Sequence, residues 1–505
     1  MFMRAVVTLA GILAVGTASS QNVTPGFNNL IPESILTPDS VETSIGTLNF
    51  FDGMPDDETV SKVYDNLDRI RATEAFLNFV PAASLEGLRL GLESIGVTKS
   101  NQAMVFDKLL DSNPLFLTGN TDTVYTVVTF DLERDGPTVV EIPPGSGPST
   151  VNDAFFRFVE DMGAPGPDRG KGGKYLILPE AYEGEIPEGY FVSRSPSNIN
   201  LMVLRGFLVD GKTDAATKSV KEGLKIYPLS QKDNPPKMEF ISGSTVPFNT
   251  IHANDYTFFE EIDHVIQREQ VGFIDPEVRG LLASIGIQKD KKFDPDERMK
   301  RLLTDGIAIG NATARALLLK PRNPEAFYYE DGAWFTAFIG GDYQWLIDNG
   351  NGGRNLDART AFFYGYTLNT PAMVLKMVGA GSQYACAAVD SDGNYLDGSK
   401  NYRLDIPANV PAKDFWSVVV YDPQTRSELQ TGQPFPGRNN QRDKMQINSD
   451  GSFSLYFGPQ PPTGKESNWL QTVPGKGWWG ILRLYGPLEP WFDKTWRPGE
   501  FELIE

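Results

Sequence analysis

The sequence predicts an α+β protein in which two antiparallel β-sandwich or jelly-roll-like domains are joined by a helical segment. Three observations predict it. Apolar, β-branched and aromatic residues recur with period two over 122–209 and again past Ala385, as in half-buried strands. Between those regions the apolar spacing becomes three and four, the period of a helix. Glycine and proline break both β regions into short runs, the punctuation of hairpins and sandwiches.

The chain starts as an export signal. Met1, Phe2, Met3 and Arg4 give a short basic start, residues 5–15 are almost all apolar, and Ala18 and Ser20 suit a signal-peptidase site before Gln21. An apolar run of about eleven residues is too short for a bilayer span, which needs roughly 20. The expectation is an exported protein, periplasmic or secreted, with no membrane segment after cleavage of residues 1–20. Residues 21–55, rich in Pro, Asn, Thr and Ser with little periodicity, read as an extended arm. Helical spacing follows over 56–66 and over 82–95.

From Asp122 the period changes to two. Residues 123–130 and 138–142 flank Glu133-Arg134-Asp135-Gly136-Pro137, which predicts a hairpin. Further strands are expected over 154–160, 174–178, 190–194 and 199–209. These complete a β-rich N-terminal domain with leading helices over 56–235. A mainly helical connection over 236–380 contains periodic runs at 256–271, 276–284 and 296–319. Strands at 402–406, 415–422, 444–447, 452–458 and 480–485 build a C-terminal β-sandwich domain over 381–505.

Composition narrows the function. A net charge of -19 argues against nucleic-acid binding, which uses basic surface to neutralise phosphates. One cysteine, Cys386, permits no internal disulfide. The chain has only two histidines, His252 and His264, so any imidazole chemistry must use them. Asp255, Glu260, Glu261 and Asp263 lie between and beside them. A divalent metal can be imagined there but is not favoured over a capped helix start, and no organic-cofactor motif is present.

Two stretches carry the chemistry. Asn120-Thr121-Asp122-Thr123-Val124-Tyr125 places amide, carboxylate and phenol at a strand start, and Glu466-Ser467-Asn468-Trp469-Leu470 does the same near the other end. As a site, Asp122 and Glu466 are the acid/base carboxylates. Asn120, Tyr125, Arg157, Asn468, Trp469 and Arg483 are the substrate-binding residues, with Arg205 an alternative to Arg157 as the anion-binding arginine. The bland readings are an Asx turn at Asp122, and Glu466 paired with Arg483 or Arg403 while Trp469 anchors an interface. Trp478, Trp479 and Trp491 suit a carbohydrate platform or an oligomer contact.

The order of these motifs resembles a bacterial exported two-domain family, in which domain of unknown function 1254 is followed by domain of unknown function 1214. Asn120 to Tyr125, Asp131-Leu132, Gly136-Pro137, Gly173 to Leu176 and Ser195-Pro196 carry the first half. Asp392-Gly393, Leu396 to Gly398, Tyr402, Phe415 to Ser417, Tyr421-Asp422, Asn448 to Ser452, Glu466 to Leu470, Arg483 to Tyr485 and Thr495-Trp496 carry the second. Gly119 departs from the proline usual there. The resemblance implies two β-rich domains, export and a homo-oligomer, and no reaction. Two functions are expected from the residues: a carboxylate-dependent hydrolase acting on a small molecule or saccharide, or a non-catalytic periplasmic ligand-binding or assembly protein.

Overall fold

A computed structural model describes residues 31–504; the expected signal peptide and the first ten residues of the expected arm lie outside them. The chain divides into two compact units, Met1–Asn66 and Leu67–Glu505. In the first, strands Ser40–Thr43, Gly46–Phe51 and Met54–Pro55 form an antiparallel meander where the composition predicts an extended arm. The tight turn is made by Gly46 at φ 101°, a conformation that a side chain would strain. Asp56 caps the following helix by accepting the Thr59 N–H at 2.7 Å.

That helix runs Asp57–Ser94 without a break, although the periodicity predicts two. Its proline, Pro81, removes one N–H and frees the carbonyl of Leu77 four residues earlier. The hydroxyl of Thr360 donates to that carbonyl at 2.9 Å, so the helix continues without an orphaned acceptor. Helix Glu297–Leu319 packs close to it. A Cβ at Gly306 would lie 2.5 Å from the Ala72 Cβ, and Thr73 donates to the Gly306 carbonyl at 2.9 Å.

Among the described residues, four mostly antiparallel sheets occupy the second unit. The six-stranded sheet has the order Glu239–Ser242, Gln102–Val105, Thr123–Asp131, Ile199–Phe207, Ser149–Asp153, Phe158–Met162. A four-stranded sheet follows the order Phe191–Ser195, Gly173–Pro179, Thr138–Ile142, Lys225–Pro228. In the last third of the chain, a five-stranded sheet has the order Phe335–Thr336, Ser382–Ala387, Trp479–Pro487, Ala412–Tyr421, Gly437–Asn439. Its four-stranded companion runs Trp469–Gln471, Phe453–Gly458, Asn401–Ile406, Glu502–Ile504. One pair in each sheet but the five-stranded one is parallel.

Three strand expectations are corrected. Residues 444–447 form no strand; the strands on either side are Gly437–Asn439 and Phe453–Gly458. Thr123–Asp131 and Thr138–Ile142 are not a hairpin: the short helix Leu132–Asp135 and Gly136 carry the chain from one sheet to the other. Asp131 starts that helix by accepting the N–H groups of Glu133 and Arg134 at 3.0 and 3.2 Å. Residues 154–160 are not one strand either. Asp153 accepts the N–H groups of Phe155 and Arg157 at 2.8 Å and turns the chain there.

Period two sorts the two larger sheets' side chains. Val128, Phe130, Met202 and Leu204 share a core with Val140, Ile142, Tyr175 and Ile177 of the smaller sheet. On the other face Tyr125, Val127, Leu201 and Val203 join the helical core. Likewise Trp416, Val418, Leu482 and Leu484 pack with Tyr402, Leu404, Leu455 and Phe457, while Val419, Tyr421, Trp479 and Ile481 turn to the helices. Each larger sheet therefore presents its second face to the same helix-filled interior.

Candidate functional site

Polar residues interrupt both of those inner faces. Arg205 occupies the inward phase of Ile199–Phe207, directly opposite Tyr125 in the register. Arg483 occupies the same phase of Trp479–Pro487, opposite Tyr384 on one side and Ser417 on the other. Positions that period two reserves for apolar side chains thus hold two guanidiniums and several phenols, and buried polar groups are the informative exception in a core.

Asn120 and Asp122 divide the work of the first motif. Asn120, not Asp122, makes the Asx turn: its Oδ1 accepts the Asp122 and Thr123 N–H groups at 2.9 and 3.1 Å, and its Nδ2 donates to the Tyr125 hydroxyl. This frees the Asp122 carboxylate to reach residues 295 to 363 positions later. It accepts from Ser417 Oγ at 2.6 Å, Asn439 Nδ2 at 2.9 Å and the Tyr485 hydroxyl at 3.4 Å, with Arg442 Nη1 at 3.9 Å. Both oxygens are engaged and the residue is 1% exposed, so Asp122 clamps two distant segments together.

Arg483 completes the junction. It donates to the Tyr421 hydroxyl at 2.5 Å and to the Thr118 carbonyl at 2.6 Å, while Tyr421 donates to the Gly119 carbonyl at 2.6 Å. Thr118 holds φ at 40°, the left-handed region uncommon for a β-branched residue. A Cβ at Gly119 would come within 2.1 Å of Leu110 Cδ2, so the Leu110 side chain would have to shift to admit one.

Arg205, Arg483, Asn120, Tyr125, Tyr366 and Tyr384 line one cavity of about 40 Å³, with Phe116, Phe338, Leu368 and Met373 as apolar wall. Arg205 and Arg483 are 8% and 3% exposed. Among the described residues neither guanidinium has a carboxylate within ion-pair distance, and the buried Nε of Arg483 has no hydrogen-bond partner. The Arg205 guanidinium lies 5.5 Å from the Tyr125 ring centre. Burial pushes the Tyr125, Tyr421 and Tyr485 hydroxyls above their ordinary range, keeping them neutral donors. Glu428 is fully buried with both oxygens unpartnered; burial pushes its carboxyl well up, and the Arg483 charge nearby opposes that rise. Burial pushes the Cys386 thiol up to about 12, and the Tyr366 hydroxyl lies 2.7 Å from its sulfur.

The remaining expected site residues lie elsewhere. Glu466 is exposed on the short 3₁₀ turn Glu466–Asn468, where it accepts the Gly464 N–H at 3.0 Å. Arg403 pairs instead with Glu502 at 2.7 Å, and Arg483 with no acid. Asn468 is buried and structural, joining the Gln446 backbone to the Ser454 carbonyl. Trp469 donates to the Gly458 carbonyl at 2.9 Å. Arg157 pairs with Asp153 at 2.5 Å and donates to the Phe273 carbonyl at 2.6 Å. Trp478, Trp479 and Trp491 are core residues. His252 is buried and held neutral, its pKa lowered to about 3 by burial, while His264 is exposed.

Tyr384, Tyr366 and Glu428 escaped sequence reasoning. A signal for the two arginines was present: each is a lone charge in an otherwise apolar strand, Met-Val-Leu-Arg-Gly-Phe and Gly-Ile-Leu-Arg-Leu-Tyr.

The fold and cavity define a protein of two β-rich halves locked together by Asp122 and Arg483. Known families agree with that division. A protein of unknown function, DUF1254, matches residues 100–228, and a protein of unknown function, DUF1214, matches residues 381–489. The chain therefore carries both domains, in the order that its motifs resemble. No curated protein matches it. The crystal structure of the VPA0106 protein from Vibrio parahaemolyticus is similar over 87% of this chain and 100% of that one. Its identity is 19% and its TM-score 0.53, a likeness of fold alone. A putative uncharacterized protein from Burkholderia cenocepacia matches 88% of this chain and 96% of its own, at 12% identity and TM-score 0.39.

Proposed function

We propose that the protein binds a small organic anion, a carboxylate, between Arg205 and Arg483. The observation that carries this reading is the pair of buried guanidiniums lining one cavity with, among the described residues, no carboxylate within ion-pair distance. An uncompensated buried charge costs several kcal/mol, and a bound anion removes that cost. Planar guanidinium forks match a carboxylate, and neutral tyrosine hydroxyls add donors. The apolar wall and the cavity's about 40 Å³ suit a short aliphatic body.

Binding is better supported than hydrolysis. A general acid/base needs an oxygen free for substrate, and those of Asp122 are taken by Ser417 and Asn439. Glu466 is not among the residues that line the cavity, and Trp478, Trp479 and Trp491 are buried in the core rather than presented to a saccharide. Export, from the basic and apolar start, is part of the reading and is checked by the N-terminus of the mature protein. A homo-oligomer is checked by its mass in solution. We also infer that each larger sheet forms a β-sandwich with its four-stranded companion, since each pair shares one apolar core.

The test is a calorimetric and thermal-shift comparison of short carboxylates with their amides, such as propanoate and propanamide. A carboxylate at a hundred times its Kd should add about 2.7 kcal/mol of stability. The amide should add none. Arg205→Met should remove the carboxylate effect. Equal shifts from acid and amide, or an undiminished effect in Arg205→Met, would refute the reading.

A further inference from the structure

A second cavity lies against the first and shares Arg205, Leu368 and Met373 with it. It is smaller, about 20 Å³, and its other walls include Ser149, Thr150, Asp161, Thr370 and Ser382. The two have opposite chemistry: two guanidiniums and no carboxylate line the first, whereas a carboxylate, Asp161, lines the second.

Asp161 lies on Phe158–Met162, the edge strand of the six-stranded sheet. Its Oδ2 accepts from Thr370 Oγ1 at 2.9 Å, but its buried Oδ1 has no partner. The neighbouring Thr150 hydroxyl is directed mainly elsewhere, though it lies close enough to help hold the Asp161 pKa down. Thr150 stands opposite Asp161 in the register and gives its single proton to the Glu160 carbonyl at 3.2 Å. Arg205 does not neutralise Asp161 either, because its guanidinium is turned to the Tyr125 ring and makes no ion pair there. Burial, with the neighbouring Glu160 charge adding to it, pushes the Asp161 carboxyl up to about 6 against the hydrogen bonds from Thr370, Thr150 and the Ala372 backbone that hold it down.

We propose that the ligand is an aminocarboxylate that spans both cavities, its carboxylate between Arg205 and Arg483 and its ammonium on Oδ1 of Asp161. This rests on the anion-binding reading above and adds the second recognition group. An ammonium brings both the missing donor and the opposite charge, whereas a hydroxyl brings only the donor. Arg205 lines both cavities. Specificity would follow from Asp161, since a carboxylate lacking the amine leaves a buried acceptor unpaired.

The experiment is a calorimetric titration of the full-length protein with butanoate, its 2-, 3- and 4-amino derivatives, and the corresponding hydroxy acids. One amino isomer should bind at least tenfold more tightly than butanoate and than its hydroxy counterpart. In Asp161→Asn the ratio of amino acid to plain acid affinity should fall to near one, with the circular dichroism spectrum retained. The proposal is overturned if butanoate binds and no amino isomer gains, if the hydroxy acid gains as much, or if Asp161→Asn keeps the ratio. Should no acid of any kind bind, the anion-binding reading falls and this one with it. The wild-type titration alone decides the matter if the variant does not fold.

Discussion

Replacing Asp122 by Asn separates a clamp from a catalytic base. In the native protein the carboxylate accepts from Ser417 at 2.6 Å and from Asn439 at 2.9 Å, both fully buried partners. An asparagine can keep the geometry, with its oxygen facing Asn439 and its amide facing the Ser417 oxygen, whose proton must then turn away. Two charge-assisted bonds become neutral ones. Each change costs about 1 kcal/mol, since bonds to charged groups contribute about 1.5–3 kcal/mol and neutral ones about 0.5–1.5 kcal/mol. Arg442 also loses its more distant negative partner at 3.9 Å but keeps Asp443 at 2.9 Å, so this adds little. The expected destabilisation is about 2–3 kcal/mol for Asp122→Asn. Asp122→Ala, which strands the Asn439 donor and opens a void, should cost about 4–5 kcal/mol. Denaturant unfolding followed by tryptophan fluorescence measures both, and Ser417→Ala in the Asp122→Asn background should cost less than in wild type. A loss under 0.5 kcal/mol in Asp122→Asn, combined with abolished turnover of any substrate, would refute the clamp and restore Asp122 as an acid/base.

Two further outcomes follow from buried pairings. Thr360→Val should cost about 1–3 kcal/mol by orphaning the Leu77 carbonyl, and Pro81→Ala in that background should recover most of it by restoring a helical N–H; denaturation of the four proteins in a double-mutant cycle checks the sign. Glu269, 1% exposed and accepting the Asn198 and Ile199 N–H groups at 2.6 and 2.9 Å, is pushed by burial up to about 7. A carboxyl raised on folding binds protons more tightly in the native state, so its contribution is full below about 4.5 and lost as pH rises through about 7. The stability difference between wild type and Glu269→Gln should therefore shift against wild type over that window. A difference independent of pH would contradict the assignment.

The sequence by itself determined the local elements and the existence of two β-rich regions, because strand and helix periods are written in neighbouring residues. The helix Glu297–Leu319 and the strands Gly173–Pro179 and Asn401–Ile406 lie within a residue or two of where the alternation places them. It also marked Asn120, Asp122, Tyr125 and Arg483, since amides, acids and lone arginines in apolar strands have no packing reason to be there. Only the tertiary structure decided how strands are shared among sheets. Thr123–Asp131 and Thr138–Ile142 look like a hairpin in sequence, yet their partners are Ile199–Phe207 and Gly173–Pro179, a choice made by which apolar faces can be buried together. The continuity of helix Asp57–Ser94 across Pro81 likewise depends on a hydroxyl from Thr360, far away in the chain. The same holds for the site. Glu466 and Asp122 are equivalent carboxylates in the sequence, but one faces solvent and the other meets Ser417 and Asn439 in the interior. A residue's chemistry is set by its dielectric surroundings and partners, and those are supplied by segments hundreds of residues apart.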